Sequence, residues 1–289
     1  MLEVIATRNL AKQYKDLTAV KNLTLSVYEG EIFGFLGPNG AGKTTSIRVL
    51  TTLAKPSSGS VWVAGFDVVD EPEKVKKVIG VVQQHLTLDL DLNVKENMEL
   101  HSRLHHIPAS LRKQRIAELL EYVGLTKQGD KMIHELSGGM KKAVMIARAL
   151  IHQPRVLFLD EPTVGLDVQM RRRMWDLIRR LNSQGTTIFL TTHYIEEAEA
   201  LCHRVGIVHE GRLIALGKPE ELRQKVGLAT VETLVDGKFT RYQHFGSRDE
   251  ATRYAQNLPA DVKTIVIREC NLEDVFVELT GKKGAMADV

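Results

Sequence analysis

At 289 residues, with 43% apolar and 26% charged side chains, the chain has ordinary globular usage, which excludes wholesale disorder and provides for a real core. A net charge of +3 with no long like-charge block excludes a nucleic-acid tail; Arg171, Arg172, Arg173, Arg179 and Arg180 are interleaved with Met174, Trp175, Leu177 and Ile178, as on the solvated face of an amphipathic helix. No stretch approaches the ~18–20 apolar residues of a bilayer span, and the first ten residues carry Glu3 and no signal-peptide core, so action on a membrane would need a partner.

In chain order, residues 2–60 mix short apolar runs with turns and read as strands, the last of them, residues 31–36, running straight into a glycine-rich loop. Residues 44–53 follow with Ile47, Leu50 and Leu53 at helical spacing, and Pro56-Ser-Ser-Gly-Ser60 breaks the chain. Residues 61–63 and 79–82 read as strands. Between about 89 and 152 strand-like runs vanish and helical spacing dominates (Ile116, Leu119, Leu120, Val123), which predicts a helical insertion in an α/β domain. Strand signals return at 156–159, 187–191 and 205–208 with helices between, the alternation of a largely parallel sheet. Past residue 225 the text changes again: strands over 230–235, 239–245 and 262–267 and helices over 248–257 and 272–280 predict a small α+β unit over 226–289. Leu272, Val275, Phe276 and Leu279 form an apolar helix face, expected either on that unit's own sheet or between two protomers. Cys202 and Cys270 match no metal or redox spacing and read as reduced structural thiols, and His105-His106 reads as surface.

Three motifs carry chemistry. Gly37, Pro38, Asn39, Gly40, Ala41, Gly42, Lys43 and Thr44, with Thr45 behind them, satisfy G-x-x-x-x-G-K-[ST] between a strand and a helix. Glycines let backbone N–H groups curl around phosphate oxygens and the helix N-terminus adds partial positive charge; Lys43 is expected on the β- and γ-phosphates and Thr44 on Mg2+. Val156-Leu-Phe-Leu-Asp-Glu161 is an apolar run ending in two carboxylates, Asp160 placed for the magnesium shell and Glu161 as the candidate general base. Leu136-Ser-Gly-Gly-Met140 opens a helix over 141–152 behind a second anion-binding turn, Ser137, Gly138 and Gly139.

With these motifs in place, residues 2–224 resemble the nucleotide-binding domain of ABC transporters, methionine replacing the usual glutamine at position 140 of the signature. In that resemblance Tyr14 is similar to the aromatic that stacks on adenine, Gln84 to the Q-loop glutamine (Gln83 being the alternative), Gly165-Leu-Asp167 to the D-loop, and His193 to the switch histidine. Residues 272–281 are similar to the tail of daunorubicin-resistance-like exporter ATPases, whose membrane subunit is a separate chain.

The resemblance implies a P-loop α/β ATPase domain over 1–225 with its helical subdomain at about 89–152. It further implies ATP with Mg2+ held by Thr44, Gln84 and Asp160, catalysis by Glu161, His193 and Gln84, and Asp167 near the nucleotide. It implies as partners a second ATP-binding subunit, in a homodimer, and an integral membrane permease, but no nucleic acid, with the chain cytoplasmic and peripheral on the inner membrane face and transport directed outward. The alternative is a soluble ABC ATPase acting on nucleic acid or ribosomes, which usually shows tandem ATPase domains, a long coiled-coil insertion or zinc-ligand cysteines. A P-loop GTPase would need an N-K-x-D sequence, which this chain lacks.

Overall fold

Two twelve-residue strands, β1 (Glu3–Tyr14) and β2 (Leu17–Tyr28), pair antiparallel; buried positions alternate along the second half of β2, at Leu23, Leu25 and Val27. Asn9 (φ 51°) and Asn22 (φ 55°) take the left-handed conformation where the pairing register shifts, the bulges that curl this sheet. The chain then runs through β3 (Ile32–Leu36), α1 (Lys43–Leu50), β4 (Ser58–Val63), β5 (Phe66–Asp67), α2 (Pro72–Val78) and β6 (Ile79–Val82). This computed structural model describes residues 2–235, 239–259, 262 and 264–284.

The predicted helical insertion is present as α3 (Val94–Leu104), α4 (Ala109–Tyr122) and α5 (Gly138–Ala149). Asn93 starts α3 with a capping box, its side chain accepting from the Glu96 N–H while Glu96 accepts from the Asn93 N–H. Helix α5 begins at Gly138, three residues before the expected start, because the Ser137 hydroxyl caps it by accepting from the Met140 N–H. There follow β7 (Val156–Asp160), α6 (Val168–Ser183), β8 (Thr187–Thr192), α7 (Ile195–Leu201), β9 (Arg204–His209), β10 (Arg212–Gly217) and α8 (Pro219–Gln224).

The central sheet has the order β10-β9-β3-β8-β7-β6, parallel except for β10, beside the antiparallel sheet β2-β1-β4-β5. Strands β3, β7 and β8 are buried along their whole length, which is why they read as unbroken apolar runs. One face of the central sheet carries Phe33, Phe35, Phe158 and Phe189, packed with α1 and the antiparallel sheet; the three other rings lie 5.5–5.6 Å from that of Phe189. The opposite face carries Leu157, Leu159, Ile188 and Leu190, packed with α5 and α6.

The chain ends in a three-stranded antiparallel sheet, β12-β11-β13, built from β11 (Ala229–Val235), β12 (Phe239–Phe245) and β13 (Ile265–Glu269), with α9 (Arg248–Gln256) and α10 (Leu272–Gly284). Strand β13 starts at Ile265, three residues later than the expected strand. The apolar face of α10 does not join that sheet's own small core. Leu272 and Val275 join the large core together with Leu222, and Phe276 meets the His209 ring edge-on at 5.6 Å, whereas Leu279 is exposed. The sheet's own core is small, centred on Ala229, Val231 and Ala251. Cys202 and Cys270 are free and buried, as expected of structural thiols; burial raises both their pKa values. His105 differs from its surface reading: it is half-buried and stacked 3.8 Å from the His152 ring.

Candidate active site

The loop after β3 is shaped by two glycines that nothing larger replaces. A Cβ on Gly37 would meet the Val208 carbonyl oxygen at 2.4 Å, and one on Gly42 (φ 99°) would meet that of Ala19 at 2.4 Å. Because Gly42 provides no side-chain cap for α1, the first-turn N–H groups are left for an external acceptor. The loop borders a cavity of about 780 Å³ whose lining includes Asn39, Gly40, Gly42, Lys43, Thr44 and Thr45. Pro38 contributes its carbonyl: Lys43 Nζ donates to the carbonyls of Gly37 at 2.7 Å and Pro38 at 3.0 Å. Ala41 is buried under the loop.

Across the cavity, β7 delivers Asp160 and then Glu161, both buried. Glu161 has φ 49°, a left-handed backbone that costs a non-glycine residue about 1–3 kcal/mol. Its conformation is held from β8: the Glu161 N–H donates to both the carbonyl and the Oγ1 of Thr191, each at 3.1 Å. The same Thr191 hydroxyl donates to Asp160 Oδ1 at 2.5 Å. Thr191 was not singled out in the sequence; the parallel register that sets it beside Asp160 is a property of the sheet.

The Glu161 carboxylate is gripped from three sides. Lys43 Nζ lies 3.2 Å from Oε1; His193 Nδ1 lies 3.1 Å and Gln84 Nε2 3.4 Å from Oε2. Thr44 Oγ1 sits 3.5 Å from Asp160 Oδ1, so two hard oxygens converge at the foot of α1, a donor set that suits a small divalent cation. The Gln84 amide borders the same cavity, whereas the Gln83 side chain is exposed.

Two cations on α5 hold the segment bearing Gln84, and neither was flagged in the sequence. Lys142 Nζ donates to the carbonyls of Gln84 at 2.6 Å and Gln83 at 3.3 Å, and Arg148 donates to the carbonyl and hydroxyl of Thr87. Burial lowers the Lys142 pKa, opposed by nearby Asp160 and Glu161.

The remaining sequence candidates lie outside this cluster. Tyr14 ends β1, 39% exposed with Lys12 Nζ over its ring, while its strand partner Leu17 borders the cavity. Ser137 and Gly139 line a separate cavity beside Met140 and Met170, with Gly138 between them, and a Cβ on Gly139 would strike the Met170 side chain. Asp167 caps α6, accepting from the Met170 N–H at 2.8 Å.

Comparison with known proteins gives a consistent result. The family model described as ABC transporter matches residues 20–164. Nod factor export ATP-binding protein I of Burkholderia orbicola (strain AU 1054) is 38% identical over 299 residues, covering 96% of each chain. Daunorubicin resistance ATP-binding protein DrrA3 of Streptomyces coeruleorubidus is 47% identical over 216 residues, 75% of this chain and 68% of the relative. Among solved structures, a dimeric post-hydrolysis state of the ATP-binding cassette MJ0796 bound to ADP and Pi superposes with a TM-score of 0.68 at 29% identity, covering 74% of this chain and 98% of that one.

Proposed function

Because the chain belongs to the ABC transporter family and is an ATPase, we propose that it energises export through a separate membrane permease, two copies closing on ATP and reopening after hydrolysis. The observation that carries this reading is the buried Glu161 carboxylate, held in a strained backbone between Lys43, Gln84 and His193 and facing the phosphate loop. An unpaired buried carboxylate would be costly, and this one is matched to groups that an ATP γ-phosphate also attracts.

On this reading the γ-phosphate competes with Glu161 for Lys43, and the released carboxylate is then free to accept a proton from the attacking water. His193 and Gln84 hold Glu161 in register while that exchange occurs. Thr44, Asp160 and Gln84 would hold Mg2+, which supplies charge neutralisation on the phosphates. Loop residues Gly37, Asn39, Gly40, Gly42 and Thr45 surround the phosphates, and Tyr14 stacks on adenine.

Ser137, Gly138 and Gly139 act on the ATP of a second copy, a role supported by the place of Ser137 and Gly139 on a cavity distinct from the phosphate loop. Asp167 faces the partner at the same junction. Residues 1–225 form the ATPase unit with its helical part at about 89–152, and residues 226–289 an accessory unit. Among the described residues no helix is long and apolar enough to cross a membrane, which fits a chain that reaches the inner membrane face through its permease. The names of the relatives, Nod factor export and daunorubicin resistance, support the outward direction.

The test is Glu161→Gln, which keeps size and removes the base. We expect turnover to fall on the order of 10²-fold or more while ATP binding persists, and ATP to shift the variant toward dimer in light scattering. Adding Ser137→Arg is expected to abolish that dimer. Unimpaired turnover would remove Glu161 as base; a dimer indifferent to Ser137→Arg would remove the head-to-tail arrangement.

A further inference from the structure

A third cavity, of about 440 Å³, shares no lining residue with the cavity at the phosphate loop and lies where α8 meets the C-terminal sheet and the start of α9. Its size falls in the range of small-molecule sites. Three arginines from three different elements line it: Arg223 of α8, Arg248 of α9 and Arg268 of β13.

They are not equivalent. Arg268 is fixed: two of its nitrogens donate to the Asp274 carboxylate at 2.6 and 2.8 Å and its Nε donates to Glu232, so its charge is already matched. Arg223 and Arg248 have no ion-pair partner among the described residues, and Arg223 Nε is buried without any hydrogen-bond acceptor. A buried guanidinium nitrogen left unpaired is costly, and such groups in folded proteins are normally satisfied. The Ser247 hydroxyl, on the same wall, accepts from the Glu250 N–H and retains its own proton to donate. Glu220 and Glu269 also line the cavity, and both are exposed, as is Arg248, while Arg223 and Arg268 are half-buried, so charges of both signs stand at its mouth.

We propose that this cavity binds a small organic anion, a phosphate ester or a carboxylate, between Arg223 and Arg248, with its hydroxyl or amine groups toward Glu220 and Glu269. Guanidinium groups recognise both anions through paired N–H donors, and the ligand supplies the acceptor that Arg223 Nε lacks. Since α8 precedes the C-terminal sheet in the chain and α10 packs back on the large core with Leu222, occupancy would pin the accessory unit to the ATPase unit.

The test uses the full chain with ADP present and two probes, glycerol phosphate and citrate, titrated by calorimetry against the unaltered protein, Arg223→Gln, Arg248→Gln, Arg223→Lys and Lys43→Ala. We expect at least one probe to bind, each arginine-to-glutamine change to weaken it by about tenfold or more, Arg223→Lys to restore part of the loss, and Lys43→Ala to leave it unchanged. Which probe binds assigns the ligand to phosphate ester or carboxylate. Binding by neither probe, equal affinity in the arginine variants, or loss of binding in Lys43→Ala would each overturn the site. Circular dichroism of each variant separates loss of binding from loss of fold.

Discussion

At the scale of single residues, one buried carboxylate meets three polar partners. Glu161 is held by Lys43, Gln84 and His193 and kept in a left-handed backbone by two hydrogen bonds to Thr191. Strain of this kind persists only where its surroundings over-determine it. Gln84 is itself positioned by Lys142, whose ammonium grips the carbonyls of residues 83 and 84. We therefore expect Lys142→Met, which keeps the stem and removes the charge, to lower kcat by about tenfold with little change in the KM for ATP, and Lys142→Arg to recover most of it. A merely structural lysine would instead lower thermal stability and leave kcat per folded molecule untouched.

At the scale of elements, α5 links the signature turn to the rest of the helical subdomain. Ser137 caps its start, Lys142 and Arg148 reach the Gln84 segment, and just past its end His152 hydrogen-bonds the Ile79 carbonyl and stacks on His105. Burial pushes the pKa of His152 from its ordinary 6.5 down to about 4, helped by the charge of His105. His101 is pushed to about 4 by burial first, then by Arg148, His105 and His152. Both folded values lie below the unfolded one, so between about pH 6.5 and about 4 the unfolded chain binds more protons. Stability contributed by neutral His101 and His152 is therefore present above pH 6.5 and lost as the pH falls through that window. Urea midpoints measured across it are expected to fall with pH in the unaltered chain and to fall less in His101→Gln. Parallel curves for the two proteins would show that His101 does not titrate on unfolding.

At the scale of the whole molecule, the accessory unit is not packed like an independent bead. Its sheet has a core of three small buried residues, while α10 sends Leu272 and Val275 into the large core and the Leu272 N–H donates to Glu199 of α7. A chain ending near Lys225 retains every nucleotide motif, so it is expected to bind ATP. It loses two buried side chains at about 1.5–3 kcal/mol each, which predicts a Tm lower by on the order of 10 °C in a scanning fluorimetry trace. An unchanged Tm would mean that α10 contributes nothing to the stability of the ATPase unit; failure to bind ATP would mean that the two units fold as one.

The phosphate loop, the paired carboxylates at the end of β7 and the Ser-Gly-Gly turn that opens α5 were legible in the sequence because each is written in consecutive residues, although α5 starts three residues earlier than its periodicity predicts. A glycine required by φ, a helix that must begin and a buried strand that must be apolar leave a local mark. The alternation of strands and helices likewise marked the parallel sheet and its helical insertion, since periodicity reports which face of an element is apolar. It does not report what covers that face. Thr191 lies 31 residues from Asp160, Lys142 lies 58 from Gln84, and the core that receives Leu272 is assembled from most of the chain. These pairings follow from strand order and helix packing, which no local window contains, so the tertiary structure alone decided how Glu161 is held, what steadies Gln84 and where α10 comes to rest.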